Sequence, residues 1–213
     1  MLDGKPLRSP AGHTLELPNA ALAEAIAAEW DGQGDEIDAS TLPLTRLACT
    51  VVDRVGPDRA ALEDTIAAFA ETDLLCYRAD QPRPLVERQQ QVWQPLIDWA
   101  TLRFDAPLAL VPGVMHRPQP PAAVAALRAA VVAIADPWRL QALHEVATLS
   151  GSLVLGLALL ERHLDAEGVW RAAQLDEDFQ IERWGEDEEA TRRRAGLRAD
   201  LAAAARLLDL LKG

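Results

Sequence analysis

At 213 residues, with 49% hydrophobic and 25% charged side chains, the chain has the make-up of a globular protein with one sizeable core, which excludes a disordered or fibrous one. A formal net charge of -12 offers no basic face to displace counterions from a phosphate backbone, so nucleic acid is excluded as a partner. Lysine occurs only at Lys5 and Lys212; the other cations are arginines, whose planar forks suit pairing with carboxylates.

From the N-terminus, Leu2-Asp3-Gly4-Lys5 reads as a tight hairpin turn, because Asp-Gly accepts the positive φ angles that two-residue loops need. Its first strand is nearly absent: either this is no hairpin or, the favoured expectation, a partner strand lies upstream of Met1. Lys5 to Pro10 and Thr14 to Leu17 follow as short strands around Ala11-Gly12-His13. Asn19 opens a helix with Leu22, Ile26 and Trp30 at helical spacing and Gly32 as its stop. After a loop to Ser40, Thr41-Leu42-Pro43 starts a second helix, with Leu44, Leu47, Ala48, Val51, Val52 and Val55 on one face and Gly56 at its end. Asp58 caps a third through Leu62, Ile66 and Phe69. Asp73 to Tyr77 is a short apolar run without a clear period. Another helix runs from Leu85 through Trp93 and Trp99, bent or restarted at Pro95, whose ring disrupts the preceding turn. Leu108 to Val111 reads as a strand, and Pro112 to Pro121, with four prolines and a glycine, as a linker.

Beyond the linker every segment reads as helical. Ala122 to Ile134 is amphipathic; Asp136-Pro137 caps a segment running to about His163, with Gly151 as a candidate interruption. Asp165 caps a helix through Trp170 and Leu175. Thr191 to Leu211 closes the chain on a stripe of Leu197, Leu201, Leu208 and Leu211. The longest apolar run, Leu153 to Leu160, falls short of the roughly 20 residues of a membrane span even when extended back to Val146, so it reads as a buried core helix. The expected fold is α+β but mainly α: a small N-terminal β-rich part with one helix over 1–40, then a helical domain over 41–213 with a proline-rich connection at 112–121.

Motifs for chemistry are begun and not completed. Gly32-Gln33-Gly34 has Ile37 where a dinucleotide fingerprint needs its third glycine, and it follows a helix instead of a strand. His144-Glu145-Val146-Ala147-Thr148 lacks the second histidine of a zinc-protease helix. Gly151-Ser152-Leu153-Val154 is no nucleophile elbow, and His13, His116 and His163 have no carboxylate at a ligand-like offset. Cys49 and Cys76, with 26 residues between them, fit neither a metal nor a redox spacing, so free thiols in a reducing compartment are expected. Met1 to Pro6 carries neither the apolar run of a signal peptide nor a transit-peptide composition, which predicts an intracellular protein.

Two features point to interaction. In the acidic stretch Asp176 to Glu189, Glu182, Glu186 and Glu189 would share a helical face, and an enzyme alternative places a metal or acid/base site at Glu182, Glu186 and Glu188. Against it, Glu188 with Arg192 and Glu189 with Arg193 stand four apart in the orientation that supports a solvated helix. The six tryptophans, Trp30, Trp93, Trp99, Trp138, Trp170 and Trp184, read as core anchors, with any exposed one marking an interface.

Four groups of residues together carry a resemblance. They are Leu2-Asp3-Gly4-Lys5-Pro6 with Thr14 to Pro18; Glu29-Trp30-Asp31 with Pro43-Leu44-Thr45-Arg46-Leu47; Thr72-Asp73-Leu74-Leu75-Cys76-Tyr77-Arg78 with Trp93-Gln94-Pro95-Leu96; and Glu182-Arg183-Trp184-Gly185-Glu186-Asp187-Glu188. In this order and spacing the chain resembles the assembly chaperones of the F1 sector of ATP synthase, which bind the free alpha subunit before the hexamer forms. The resemblance implies a small β-rich domain followed by a larger helical one, no enzymatic activity, no nucleotide, metal or small-molecule substrate, and the F1 alpha subunit as partner. It implies partner binding at Glu188, with Trp184, Glu186 and Asp187 beside it. Trp30 and Asp73 are expected to be structural or to border the interface, Trp30 first as a buried helix anchor. Eukaryotic members act in the mitochondrial matrix; without an import signal this chain is expected in a bacterial cytoplasm.

Overall fold

The computed structural model describes residues 4–113, 115 and 117–212. The Leu2-Asp3 part of the expected first turn and His116 lie outside them. Ten α-helices and one two-stranded parallel sheet are formed by the described residues.

In the N-terminal part the described residues form isolated bridges and no extended strand, among them an antiparallel bridge between Arg8 and Thr14. Leu15 N–H donates to the Leu7 carbonyl at 2.9 Å, Ser9 N–H donates to the His13 carbonyl at 2.8 Å, and Gly12 turns the chain at φ 87°. Pro6, Pro10 and Pro18 lack the N–H groups that a longer ladder would require. The tip is pinned to the body by Asp53, whose carboxylate accepts from Ala11 N–H at 3.2 Å and meets His13 Nδ1 at 2.9 Å.

Helix α1 (Ala20–Asp31) starts where Asn19 Oδ1 accepts from Leu22 N–H at 2.9 Å, and the same side chain donates to the Leu210 carbonyl at 2.8 Å, joining the first helix to the end of the last. Helix α2 (Pro43–Thr50) has no cap of its own, because Leu42 precedes it. Glu29 of α1 supplies one from a distance: its carboxylate accepts from Leu44 N–H at 2.7 Å, Thr45 N–H at 2.9 Å and the Thr45 hydroxyl at 2.7 Å. That contact explains why Glu29 and the Pro43-Leu44-Thr45 run belong to one sequence pattern. The helix continues as a π-helical turn, Val51–Val55, to Gly56. Helix α3 (Arg59–Ala68) is capped by Asp58, as its sequence predicts.

The run from Asp73, without a period in sequence, is a 3-10 turn over Leu74–Cys76 leading into strand β1 (Tyr77–Arg78), which pairs in parallel with β2 (Val111–Pro112). The expected strand at Leu108 to Val111 is thus shorter and shifted toward the C-terminus. Helix α4 (Arg83–Phe104) runs through Pro95 without restarting. It buries Trp93 completely, and the indole N–H donates to the Ala172 carbonyl at 2.8 Å.

Helices α5 (Pro121–Val132), α6 (Pro137–Ser150), α7 (Leu153–Leu160), α8 (Ala166–Ala173), α9 (Leu175–Trp184) and α10 (Glu188–Leu210) complete the chain. The segment to His163 breaks at its candidate interruption, Gly151, which sits at φ 67° where a Cβ would be strained. All eight residues of α7 are buried, and α6 lies between it and α10. Leu153, Leu155 and Leu157 each contribute about 2 kcal/mol by leaving water. Gly156 permits the close approach, since a Cβ there would stand 2.7 Å from Leu143 Cδ1. Among the described residues no helix is long and apolar enough to cross a membrane.

Candidate functional site

The acidic stretch resolves into two helices with a sharp corner between them. Gly185 ends α9 at φ 81° and ψ 175°, a backbone region open essentially to glycine alone. Asp187 then caps α10, its carboxylate accepting from Ala190 N–H at 2.8 Å while its carbonyl accepts from the Thr191 hydroxyl at 2.8 Å. Glu188 and Glu189 fall in the first turn, where the unpaired N–H groups favour negative charge.

This geometry corrects the expectation that Glu182, Glu186 and Glu189 share one helical face, because Gly185 interrupts the helix between them. The carboxylates of the enzyme alternative do not converge either. Glu182 turns to α4, where Arg88 holds it through two parallel bonds of 2.7 and 2.8 Å and keeps its carboxyl below the usual range. Glu186 folds back onto Arg194 of α10 at 3.1 Å. Glu188 points outward, 95% exposed, with Arg192 no closer than 3.6 Å. Among the described residues no three His, Cys, Asp or Glu side chains are grouped to hold a metal ion. His144, the one histidine of the incomplete zinc pattern, has a half-buried ring whose basicity is lowered by burial and then by the Arg54 charge.

The outward side of the corner is therefore Trp184 and Glu188. Trp184 is 75% exposed, whereas Trp93, Trp138 and Trp170 are buried in the core and Trp30 and Trp99 are packed against it. An exposed tryptophan is a residue type that dominates binding hot spots, which makes this corner the candidate interface. Underneath, Phe179 is buried between the guanidinium groups of Arg88 and Arg183, 5.3 and 4.6 Å from its ring centre, so the last turn of α9 rests on a packed base. Gln89 Nε2 also donates to Asp176 at 2.7 Å, holding the first turn of α9 to α4.

The other two candidate residues lie elsewhere. Asp73 is fully buried and accepts from Leu75 N–H at 3.1 Å, the Ser152 hydroxyl at 2.7 Å and Val154 N–H at 3.0 Å, so one carboxylate caps both the 3-10 turn and α7. It has no surface to offer a partner. Trp30 lines a cleft of about 420 Å³ together with Leu7, Leu15, Leu17 and Ile26. Its Nε1 is shielded from water and has no acceptor. Trp30 is half-buried, so Trp30→Ala should cost about 3 kcal/mol, the low end for large aromatic truncations, read as a lowered urea midpoint at unchanged slope.

Sequence reasoning missed Glu29, Arg88 and Arg194 as organising residues. Only Glu29 left a signal, through its place in the same pattern as the uncapped Pro43-Leu44-Thr45 start.

Known proteins resemble this chain in sequence and in structure. The sequence pattern described as ATP12 chaperone protein matches residues 1–101. Protein atp12, mitochondrial, of Schizosaccharomyces pombe is 25% identical over 201 residues, spanning 89% of this chain and 69% of that protein. The crystal structure of Atp12 from Paracoccus denitrificans superposes with a TM-score of 0.91 at 43% identity, covering 99% of this chain and 90% of the other. That of the Atu1473 protein from Agrobacterium tumefaciens gives 0.93 at 44% identity, covering 99% and 79%. With identity at this level across nearly the whole fold, the chain belongs to the ATP12 chaperone protein family.

Proposed function

We propose that this chain is an assembly chaperone of the F1 sector of ATP synthase that binds the free alpha subunit through the corner between α9 and α10 and shields it until the beta subunit arrives. One observation carries the choice of site: Trp184 stands exposed on a glycine corner that also bears Glu188, 95% exposed and only loosely paired with Arg192 at 3.6 Å. Family membership supports the chaperone role, and an unassembled subunit needs shielding because an apolar interface left in water drives aggregation. Trp184 supplies apolar area and Glu188, with Glu189, a negative rim, so the complementary face is an apolar depression edged by Arg or Lys. Of the other two corner acids, Asp187 is occupied in capping and Glu186 in the contact with Arg194, so both act by shaping the corner. On this reading the protein works in the compartment where the alpha subunit is made, the cytoplasm of a bacterium.

The test is co-precipitation of the purified protein with purified alpha and beta subunits, each alone. Retention of alpha and not beta is the expected result. Selective retention of beta, or of neither, overturns the proposal.

A further inference from the structure

Arg194 is the most heavily engaged charge among the described residues, and its side chain is only 14% exposed. Its guanidinium lies 5.4 Å from the centre of the Trp170 ring, donates to Gln174 Oε1 at 3.0 Å and to the carboxylate of Asp178, and pairs with Glu186 at 3.1 Å and Glu177 at 3.7 Å. Trp170 belongs to α8, Gln174 to the joint before α9, and Glu177 and Asp178 to α9; these contacts would suffice to fasten α10 to its neighbours. Glu186 is different. It sits in the turn itself, one residue past Gly185, and its carboxylate is folded inward to 23% exposure while Trp184 and Glu188 on either side stand outward.

That fifth contact matters because Gly185 is the freest backbone in the corner, and nothing is packed within 4 Å of where its Cβ would be. Trp184 is attached on one side of that hinge and Glu188 on the other. A partly buried charge pair is weakly screened and keeps its geometry better than an exposed one. Only the forked, planar guanidinium can reach α9 and the turn together.

We infer that Arg194 is a positioning residue for partner recognition: by clamping Glu186 against α9 it sets the angle of the Gly185 corner and so the placement of Trp184 relative to Glu188, with neither of which it shares a hydrogen bond or ion pair. The inference rests on the reading that this corner binds the partner.

The experiment measures affinity for purified alpha subunit and amide hydrogen exchange in the full-length protein for Arg194→Lys, Arg194→Met, Glu188→Lys and the Arg194→Lys/Glu188→Lys pair. Arg194→Lys keeps the charge, so the fold and the exchange of α6 and α7 should stay as in the parent. Affinity should fall about tenfold, amides 185–189 should exchange about tenfold faster, and the double variant should lose no more than Glu188→Lys alone. Arg194→Met should do the same more strongly; if it fails to fold, the lysine variant carries the test. Parental affinity in Arg194→Lys alongside weakened Glu188→Lys overturns the clamp and leaves the binding corner standing. Additive losses with unchanged exchange at 185–189 also overturn it. Parental affinity in Glu188→Lys overturns the corner and the clamp together.

Discussion

Replacing Asp73 by alanine should lower stability by about 3–5 kcal/mol, because the change strands two backbone N–H groups and a serine hydroxyl at a fully buried position. The readout is the urea midpoint at unchanged slope. A loss under 1 kcal/mol would show that the 3-10 turn and α7 are held by other means. Asp73→Asn should recover part of the loss, since one carbonyl oxygen remains to accept, while the amide group opposes a donor. The acid–base behaviour gives an independent check. Burial is the dominant influence and raises the Asp73 carboxyl to about 6, against the lowering effect of its donors. A folded-state pKa above the unfolded one means that the native protein binds the proton more tightly. The contribution of Asp73 is then greatest below about pH 4 and declines as pH rises through about 6, by about 3 kcal/mol over the whole window. Compared with Asp73→Asn, which does not titrate, the parent should therefore gain relative stability on going from pH 7 to pH 4.5. A gain in the opposite direction would mean that the three donors outweigh burial.

The second large effect is expected on binding and not on folding. Trp184→Ala should leave the thermal midpoint within about 2 °C of the parent, since the ring is mostly in water, yet weaken capture of the alpha subunit by about thirtyfold, the scale of a central aromatic anchor. Glu188→Lys should act in the same direction, with a loss that shrinks as salt is added, because its contribution is through charge at the rim. Calorimetric titration at two ionic strengths reads both. A midpoint that falls by 10 °C in either variant would assign the residue to the scaffold.

Much of the helical frame was legible in sequence because helix starts are written locally. Asn19, Asp58, Asp136 and Asp165 each stand directly before the helix they cap, and their side chains accept from backbone N–H groups only two or three residues on. What was not legible is what the fold completes across distance. Glu29 caps a helix 15 residues away, Asp73 caps one 79 residues away through Ser152, and Arg88 reaches Glu182 across 94 positions. None of these has a period or a spacing that a local pattern can register. The acidic stretch misled for a related reason: counting Glu182, Glu186 and Glu189 around a helix assumes a continuous helix, and Gly185, read as a member of a motif, is also the residue that ends it. The exposure of Trp184 was out of reach as well, since a tryptophan at helical spacing gives no sign of which side the neighbouring layer will cover.

Helix α7 has one more implication, for how the protein comes apart. Eight residues buried on every side cannot be uncovered by a local opening; α4, α6 and α8, which pack on it, would have to leave together. Denaturation should accordingly be all-or-none in this region, with no populated partly open species that displays Leu153 to Leu160. On the proposed function, in which the partner is an unassembled subunit, the protein gains from this, because its own stickiest segment is either fully stowed or, at far lower abundance, released only with the entire fold.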